Sequence, residues 1–154
     1  MPANVHYIPE GYHTVTPYLI CNDAGKAIEF YKQAFGAVEV MRMGGPDGKI
    51  GHAELKIGDS FIMLADEHAG IGAYSAQHYG GTPVSLLLYV KDVDSVFQQA
   101  VSTGATARQS PEDRFYGDRV SWVIDPFGHS WYLHTHVRDV TPEEMKQAMS
   151  ASNQ

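Results

Sequence analysis

One segment constrains this chain more than any other: the turn Asp125-Pro126-Phe127-Gly128 and the run from Ser130 to His136 behind it. Proline presets φ and glycine accepts positive φ, so Asp-Pro-x-Gly closes a tight turn. The residues after it alternate and are rich in aromatics, which predicts a strand. Gly58-Asp59-Ser60-Phe61-Ile62-Met63-Leu64 echoes Gly128-His129-Ser130-Trp131-Tyr132-Leu133-His134 at an offset of 70 residues, 58 to 128. Gly36, predicted to stop a first helix, has its counterpart in Gly104, 68 residues on. The chain is expected to contain one unit twice.

Each unit reads as βαβββ. The first spans residues 14–66. A short apolar strand covers residues 15–21, and Asn22 or Asp23 can cap the helix that follows. Ala27, Ile28, Tyr31, Ala34 and Phe35 share one face of that helix, and Gly36 ends it as a left-handed residue. Residues 38–43 are the next strand, 44–48 a turn, and His52, Glu54 and Lys56 alternate with Ala53, Leu55 and Ile57 on a half-buried strand. The fourth strand covers residues 60–65. A linker, 67–82, is rich in glycine yet holds Tyr74, His78 and Tyr79, so it reads either as surface packing or as a flap.

The pattern restarts in residues 83–138. Asp92 or Asp94 caps a helix that should bury Val93, Val96, Phe97, Ala100 and Val101. Strands follow at 105–109, 119–124 and 130–136, with a loop expected at 110–117. Thr141-Pro142-Glu143-Glu144 then starts a short C-terminal helix over 141–150, with threonine as cap and proline in the first turn. Its narrow stripe of Met145, Ala148 and Met149 would need a docking surface.

Composition narrows the function classes. With 11 basic against 18 acidic residues the net charge is −7, which disfavours a nucleic-acid partner that must be met by a basic face. A hydrophobic content of 44% supports a packed core. The single cysteine, Cys21, rules out an internal disulfide framework, fits a reducing cytoplasm, and reads as a small buried strand residue. No apolar run reaches the ~20 residues of a membrane span, and residues 1–13 read as a surface arm without the blocks of a signal peptide.

The paired βαβββ units, Asp23 and Asp92 at the helix starts, Phe30-Tyr31, Phe35-Gly36-Ala37 and the Asp125-Pro126-Phe127-Gly128 turn resemble the vicinal-oxygen-chelate superfamily, which includes glyoxalase I, bleomycin-resistance proteins and extradiol dioxygenases. Pro9-Glu10-Gly11-Tyr12-His13, Gly51-His52-Ala53-Glu54 and Tyr116-Gly117-Asp118-Arg119 are similar to its PhnB-like branch. The resemblance implies an α+β fold in which the two units curve into a half-barrel cleft, and a homodimer. It also implies a cleft ion held by His, Glu or Gln on the first and last strands of each unit. Carried over, those positions are Thr16, Met63, Ser85 and Tyr132, a set without imidazole or carboxylate. A one-residue slip would substitute Pro17, Leu64, Leu86 and Leu133, which are apolar. The usual metal site is therefore expected to be absent.

Two function classes follow. In the first, the protein binds or sequesters a small aromatic or amphipathic compound without any cofactor, using Tyr18, Tyr89, Trp122, Trp131 and Tyr132 as its aromatic lining. His134 and His136 face the same way as Tyr132 and join that set, or share a metal, or are merely solvated. Tyr116, Asp118 and Arg119 form either an anion clamp or a surface ion pair. In the second class, His52 and Glu54 move protons, or a divalent metal occupies a relocated site, in a lyase, isomerase or dioxygenase type of enzyme.

Overall fold

Asp23 and Asp92 start the two helices on which the fold is organised. The computed structural model describes residues 4–152, so residues 1–3 of the expected arm lie outside it. Asp23 accepts a hydrogen bond from the Lys26 amide and Asp92 from that of Ser95, each satisfying a donor that the first helical turn leaves free. The helices are α1 (Ala24–Phe35) and α2 (Val93–Thr103). Gly36, at φ 69°, ends α1 in the left-handed conformation predicted for it.

Two compact units divide after Gly81. In the first, β1 (Tyr18–Cys21), β2 (Val38–Gly44), β3 (Ile50–Ile57) and β4 (Ser60–Asp66) form a sheet of order β1-β4-β3-β2. In the second, β5 (Ser85–Tyr89), β6 (Thr106–Asp113), β7 (Asp118–Ile124) and β8 (Ser130–His136) form a sheet of order β5-β8-β7-β6. The first strand of each unit lies parallel to the last, and the other pairs are antiparallel. The βαβββ unit is thus present twice, and α3 (Pro142–Ser152) follows it.

Each last strand also serves the helix of its own unit. Asp66 accepts from the Ala24 amide at the start of α1 and, through its second oxygen, from the Ile50 amide, both at 2.7 Å. Thr135 accepts from the Val93 amide at the start of α2 and donates to the Val90 carbonyl, both at 2.9 Å. Asp66 and Thr135 are 69 residues apart, as are Leu64 and Leu133, which pair with Leu19 and Leu88. The structural repeat is therefore 69 in these strands, one short of the echo in the motif. Phe61 consequently corresponds to Ser130 rather than to Trp131. It lies on the face away from the helix while Trp131 is fully buried, because a one-residue shift exchanges the faces of a strand.

Alternate residues fill the core of each unit. Leu19, Cys21, Ala53, Leu55, Ile62 and Leu64 pack with Ala27, Ile28 and Tyr31 of α1, so the expectation for Cys21 is met. In the second unit Val123, Trp131 and Leu133 pack with Val93 and Ala100 of α2. Val101, expected inside, is exposed. The loop expected at 110–117 is largely strand: β6 runs on to Asp113, through Pro111 and two register shifts. A proline is tolerated there because β6 is the sheet edge, where one face of the ladder has no partner. β1 starts at Tyr18 rather than at residue 15, although the Pro17 carbonyl still accepts from Met63. The linker contains one 3-10 turn, Ala69–Ile71, and stacks Tyr74 on His78 with ring centroids 4.0 Å apart. In α3 the Thr141 hydroxyl caps the Glu144 amide, and no residue of the helix is buried. No helix among the described residues is long and apolar enough to cross a membrane.

Candidate functional site

Partners across a ladder share a face, so the registers fix which side chains can meet. In the second unit, the face away from α2 carries Leu87 and Tyr89 of β5, then Ser130, Tyr132, His134 and His136 of β8, then Asp118, Val120 and Trp122 of β7. Trp122 and Tyr132 stack at 5.3 Å with an interplanar angle of 11°, and the Trp122 indole N–H donates to Ser130 Oγ at 2.8 Å. Ser130 and Ser85 hydroxyls share a 2.6 Å hydrogen bond.

At the other end of this face, Asp118 holds both histidines. His134 Nδ1 lies 2.8 Å from Asp118 Oδ2, and His136 Nδ1 2.7 Å from Asp118 Oδ1. His136 Nε2 also lies 2.7 Å from Asp139 Oδ1. Burial alone would raise the Asp118 carboxyl, but the hydrogen bonds from the two histidines outweigh it and hold the group below its ordinary range. An ionised Asp118 makes each Nδ1 a donor. For His134 in its neutral form the lone pair is then on Nε2, which makes no hydrogen bond with the described residues. Around this 7%-exposed ring stand Tyr89 at 5.7 Å, Tyr116 at 6.4 Å and Tyr132 at 6.4 Å between centroids. Burial pushes the Tyr116 phenol up, so it stays a neutral donor.

Asp118 and Arg119, read from sequence as an anion clamp or a surface ion pair, are not brought together. Adjacent strand residues point to opposite faces, and Arg119 lies on the α2 side. There it makes a bidentate pair with Asp94, at 2.7 and 3.0 Å, and reaches Asp113 at 3.2 Å. Trp131, proposed from sequence as part of the lining, is likewise in the core, with its indole N–H on Asp125. Asp139, not singled out in the sequence, completes the His136 pairing from outside the strand.

In the first unit, the face away from α1 sets Tyr18, Met63, Glu54 and Met41 in one row, and pairs Ile20 with Ala65 and His52 with Met43 beside it. Tyr18 Oη lies 2.9 Å from His52 Nδ1, and His52 Nε2 lies 3.7 Å from Glu54 Oε1. Tyr12, read only as part of a motif, stacks on Phe61 at 4.3 Å. Gly11 allows this approach, since a Cβ there would sit 2.9 Å from the Phe61 ring. A groove of about 530 Å³ opens beside Tyr18, lined also by Ile20, Met43, Ile50 and Ala65.

The four carried-over metal positions do not suit a divalent ion. Met63 offers a thioether, Ser85 is bonded to Ser130, Tyr132 is stacked on Trp122, and the Thr16 hydroxyl donates to the His13 carbonyl at 3.3 Å. A metal shared by His134 and His136 would need a nitrogen from each, and both nitrogens of His136 are already engaged, by Asp118 and Asp139.

The Asp118–His136–Asp139 pairing predicts a pH profile. Hydrogen bonds to Asp139 and then to Asp118 raise His136 above its ordinary 6.5. Its contribution to stability is complete below pH 6.5 and is lost as pH rises through the folded value. Asp118 contributes above its ordinary 3.8 and loses that contribution as pH falls through its lower folded value. The urea midpoint should therefore decline on the alkaline side of 6.5, and His136→Ala should remove that decline. An alkaline limb unchanged in the variant would show that the pairing does not form in solution.

Residues 11–133 match the sequence model of the Glyoxalase/Bleomycin resistance protein/Dioxygenase superfamily. An uncharacterized protein of Mycobacterium tuberculosis strain H37Rv is 45% identical over 140 residues, 89% of this chain and 82% of that one. Among solved structures, TioX from Micromonospora sp. ML1 superimposes with a TM-score of 0.64 at 26% identity, covering 80% of this chain and 98% of its own. The fosfomycin resistance protein FosX from Mesorhizobium loti does so with a TM-score of 0.61 at 17% identity, covering 87% and 97%, a likeness of fold alone.

Proposed function

This chain belongs to the Glyoxalase/Bleomycin resistance protein/Dioxygenase superfamily, and on that premise we propose that it is a small-molecule-binding member, of the PhnB-like branch, that uses no metal at the superfamily's usual positions. The ligand is a planar aromatic compound with an N–H or O–H donor. One observation carries this reading: His134 is fixed by a carboxylate on one nitrogen, keeps the other for a ligand, and stands among three tyrosine rings. A ring held in one tautomer is a preorganised acceptor, and preorganisation lowers the ordering cost of binding. The aromatic faces of Tyr89, 70% exposed, and of the Trp122–Tyr132 pair supply stacking area for a flat ligand.

Proton transfer by His52 and Glu54 has weaker support. Their 3.7 Å separation is longer than a hydrogen bond, and burial, with Glu54 adding to it, raises the Tyr18 phenol instead of activating it.

Trp122 reports on the proposed site, whereas Trp131 is buried away from it. Titration with indole- and naphthol-type compounds should quench Trp122 fluorescence to saturation. His134→Leu should weaken the affinity by about tenfold or more, the loss expected for one well-placed hydrogen bond to a ligand. Equal affinity in that variant, or no saturable quenching at millimolar ligand, would refute the reading.

A further inference from the structure

We propose that the first unit carries a separate site for an amphipathic organic cation, with the ammonium group on Glu54 and the apolar body in the groove beside Tyr18. This inference rests on the first unit alone and does not depend on the aromatic face of the second sheet.

Glu54 is the starting point. Its side chain is 17% exposed, on a sheet face that also carries Tyr18, Met41, Met63 and His52. A half-buried carboxylate ordinarily has a cation or several donors beside it, because removing charge from water is costly. Beside it are the Tyr12 phenol and His52, whose Nε2 lies 3.7 Å away and whose Nδ1 is engaged by Tyr18. Lys56, two residues along the same strand, lies over the Phe61 ring at 5.5 Å and forms no ion pair with Glu54. No lysine or arginine among the described residues pairs with the carboxylate.

Its surroundings suit one kind of guest. Tyr12 Oη is buried beside Glu54. Burial first, and hydrogen bonding toward Glu54 second, push its phenol up to about 12, so the ring stays neutral. Neutral tyrosine rings attract cations through their faces and repel anions. Met41 and Met63 flank Glu54 on either side in the same row, and thioethers are soft, adaptable contacts for N-alkyl groups. A carboxylate with tyrosine rings and thioethers beside it is the chemistry of ammonium recognition, not of phosphate or carboxylate binding.

The groove supplies the second half of the ligand's description. Tyr18 belongs to it and, through His52, to the Glu54 row. Its walls at Ile20, Met43, Ile50 and Ala65 are apolar, and its volume of about 530 Å³ lies in the range of small-molecule sites. Asp47, Asp66 and Glu67 lie on its rim against a single lysine, Lys49, which adds to the preference for a positive guest. An aryl- or alkyl-amine of moderate length meets both requirements.

The test compares 4-phenylbutylamine with 4-phenylbutanol, which shares the apolar body without the charge. Calorimetry on the full chain should show the amine binding about tenfold or more tighter than the alcohol, as a desolvated cation–carboxylate contact requires. In nitrogen-15 spectra the amine should shift the resonances of Tyr18, His52, Glu54 and Met63. Glu54→Gln should bring the amine down to the alcohol's affinity. Equal binding of the two compounds to the wild type would overturn the proposal whether or not the variant folds. Amine binding unchanged in Glu54→Gln, or shifts confined to residues after Gly81, would overturn it as well. His134→Leu should leave amine binding unaltered, so a failure here and a failure of the His134 site are read separately.

Discussion

Asp125→Ala is expected to lower the stability of the chain by about 3–5 kcal/mol, the cost of removing a buried carboxylate from the donors it satisfies. Asp125 is 4% exposed. One of its oxygens accepts from the Phe127 amide at 2.8 Å and the His129 amide at 3.0 Å. The other accepts from the Trp131 indole N–H at 2.8 Å. Alanine strips these three donors of their acceptor at a buried position, and each loss costs about 1–3 kcal/mol, with incomplete additivity. Asp125→Asn should fall between alanine and wild type, because either orientation of the amide sets an N–H group against at least one protein donor. Urea titration should show a lower midpoint with an unchanged slope. A loss below about 1 kcal/mol for alanine would mean that the turn and the indole are held by something else.

The same turn shows how far local chemistry carries a reading of this chain. Helix starts at Asp23 and Asp92 and the stop at Gly36 were legible, because capping depends on residues within one turn of each other. The duplication was legible for the same reason, repeated twice. Its register was not: the hairpin after β3 turns in two residues while the one after β7 needs five, so one numerical offset cannot hold for both strands of each pair. The motif matched Phe61 with Trp131, yet buried Leu64 and Leu133 show that the match is one residue out. β6 passed for a loop because Pro111 argues against a strand interior, and only knowledge that β6 is an edge removes the objection.

Site residues divide along the same line. Tyr132, His134 and His136 share a face by simple alternation, which sequence supplies. That Asp118 stands opposite His136 depends on the β7–β8 register, and that Arg119 is taken by Asp94 depends on a helix 25 residues away in sequence. Long-range pairing decides which of two adjacent polar residues is available to a ligand, and no periodicity contains that information. Tyr12 was missed as a site member because nothing local foretells its stacking on Phe61.

Gly117→Ala should produce the second large effect, about 3 kcal/mol or more, when unfavourable φ, a steric clash and disrupted hydrogen bonds are combined. Gly117 sits at φ 98°, and a Cβ there would lie 2.1 Å from the Arg138 carbonyl oxygen. That obstacle is backbone, so it cannot rotate away. The Gly117 carbonyl also accepts from the amides of Val137 and Arg138, at 2.9 and 3.1 Å. The glycine thus joins the turn before β7 to the chain leaving β8, and so positions Asp139 against His136 and Asp118 against both histidines. Gly36→Ala is the matched control: φ there is 69°, a Cβ would meet nothing within 4 Å, and only about 1 kcal/mol of backbone strain is expected. Urea titrations of the two variants should differ by about 2 kcal/mol or more, with the His136 imidazole resonance moving toward that of free histidine only in Gly117→Ala. Equal losses at the two glycines would show that the segment after β8 yields freely. Tyr116-Gly117-Asp118 would then be a turn beside the site and not the clamp that sets the tautomer of His134.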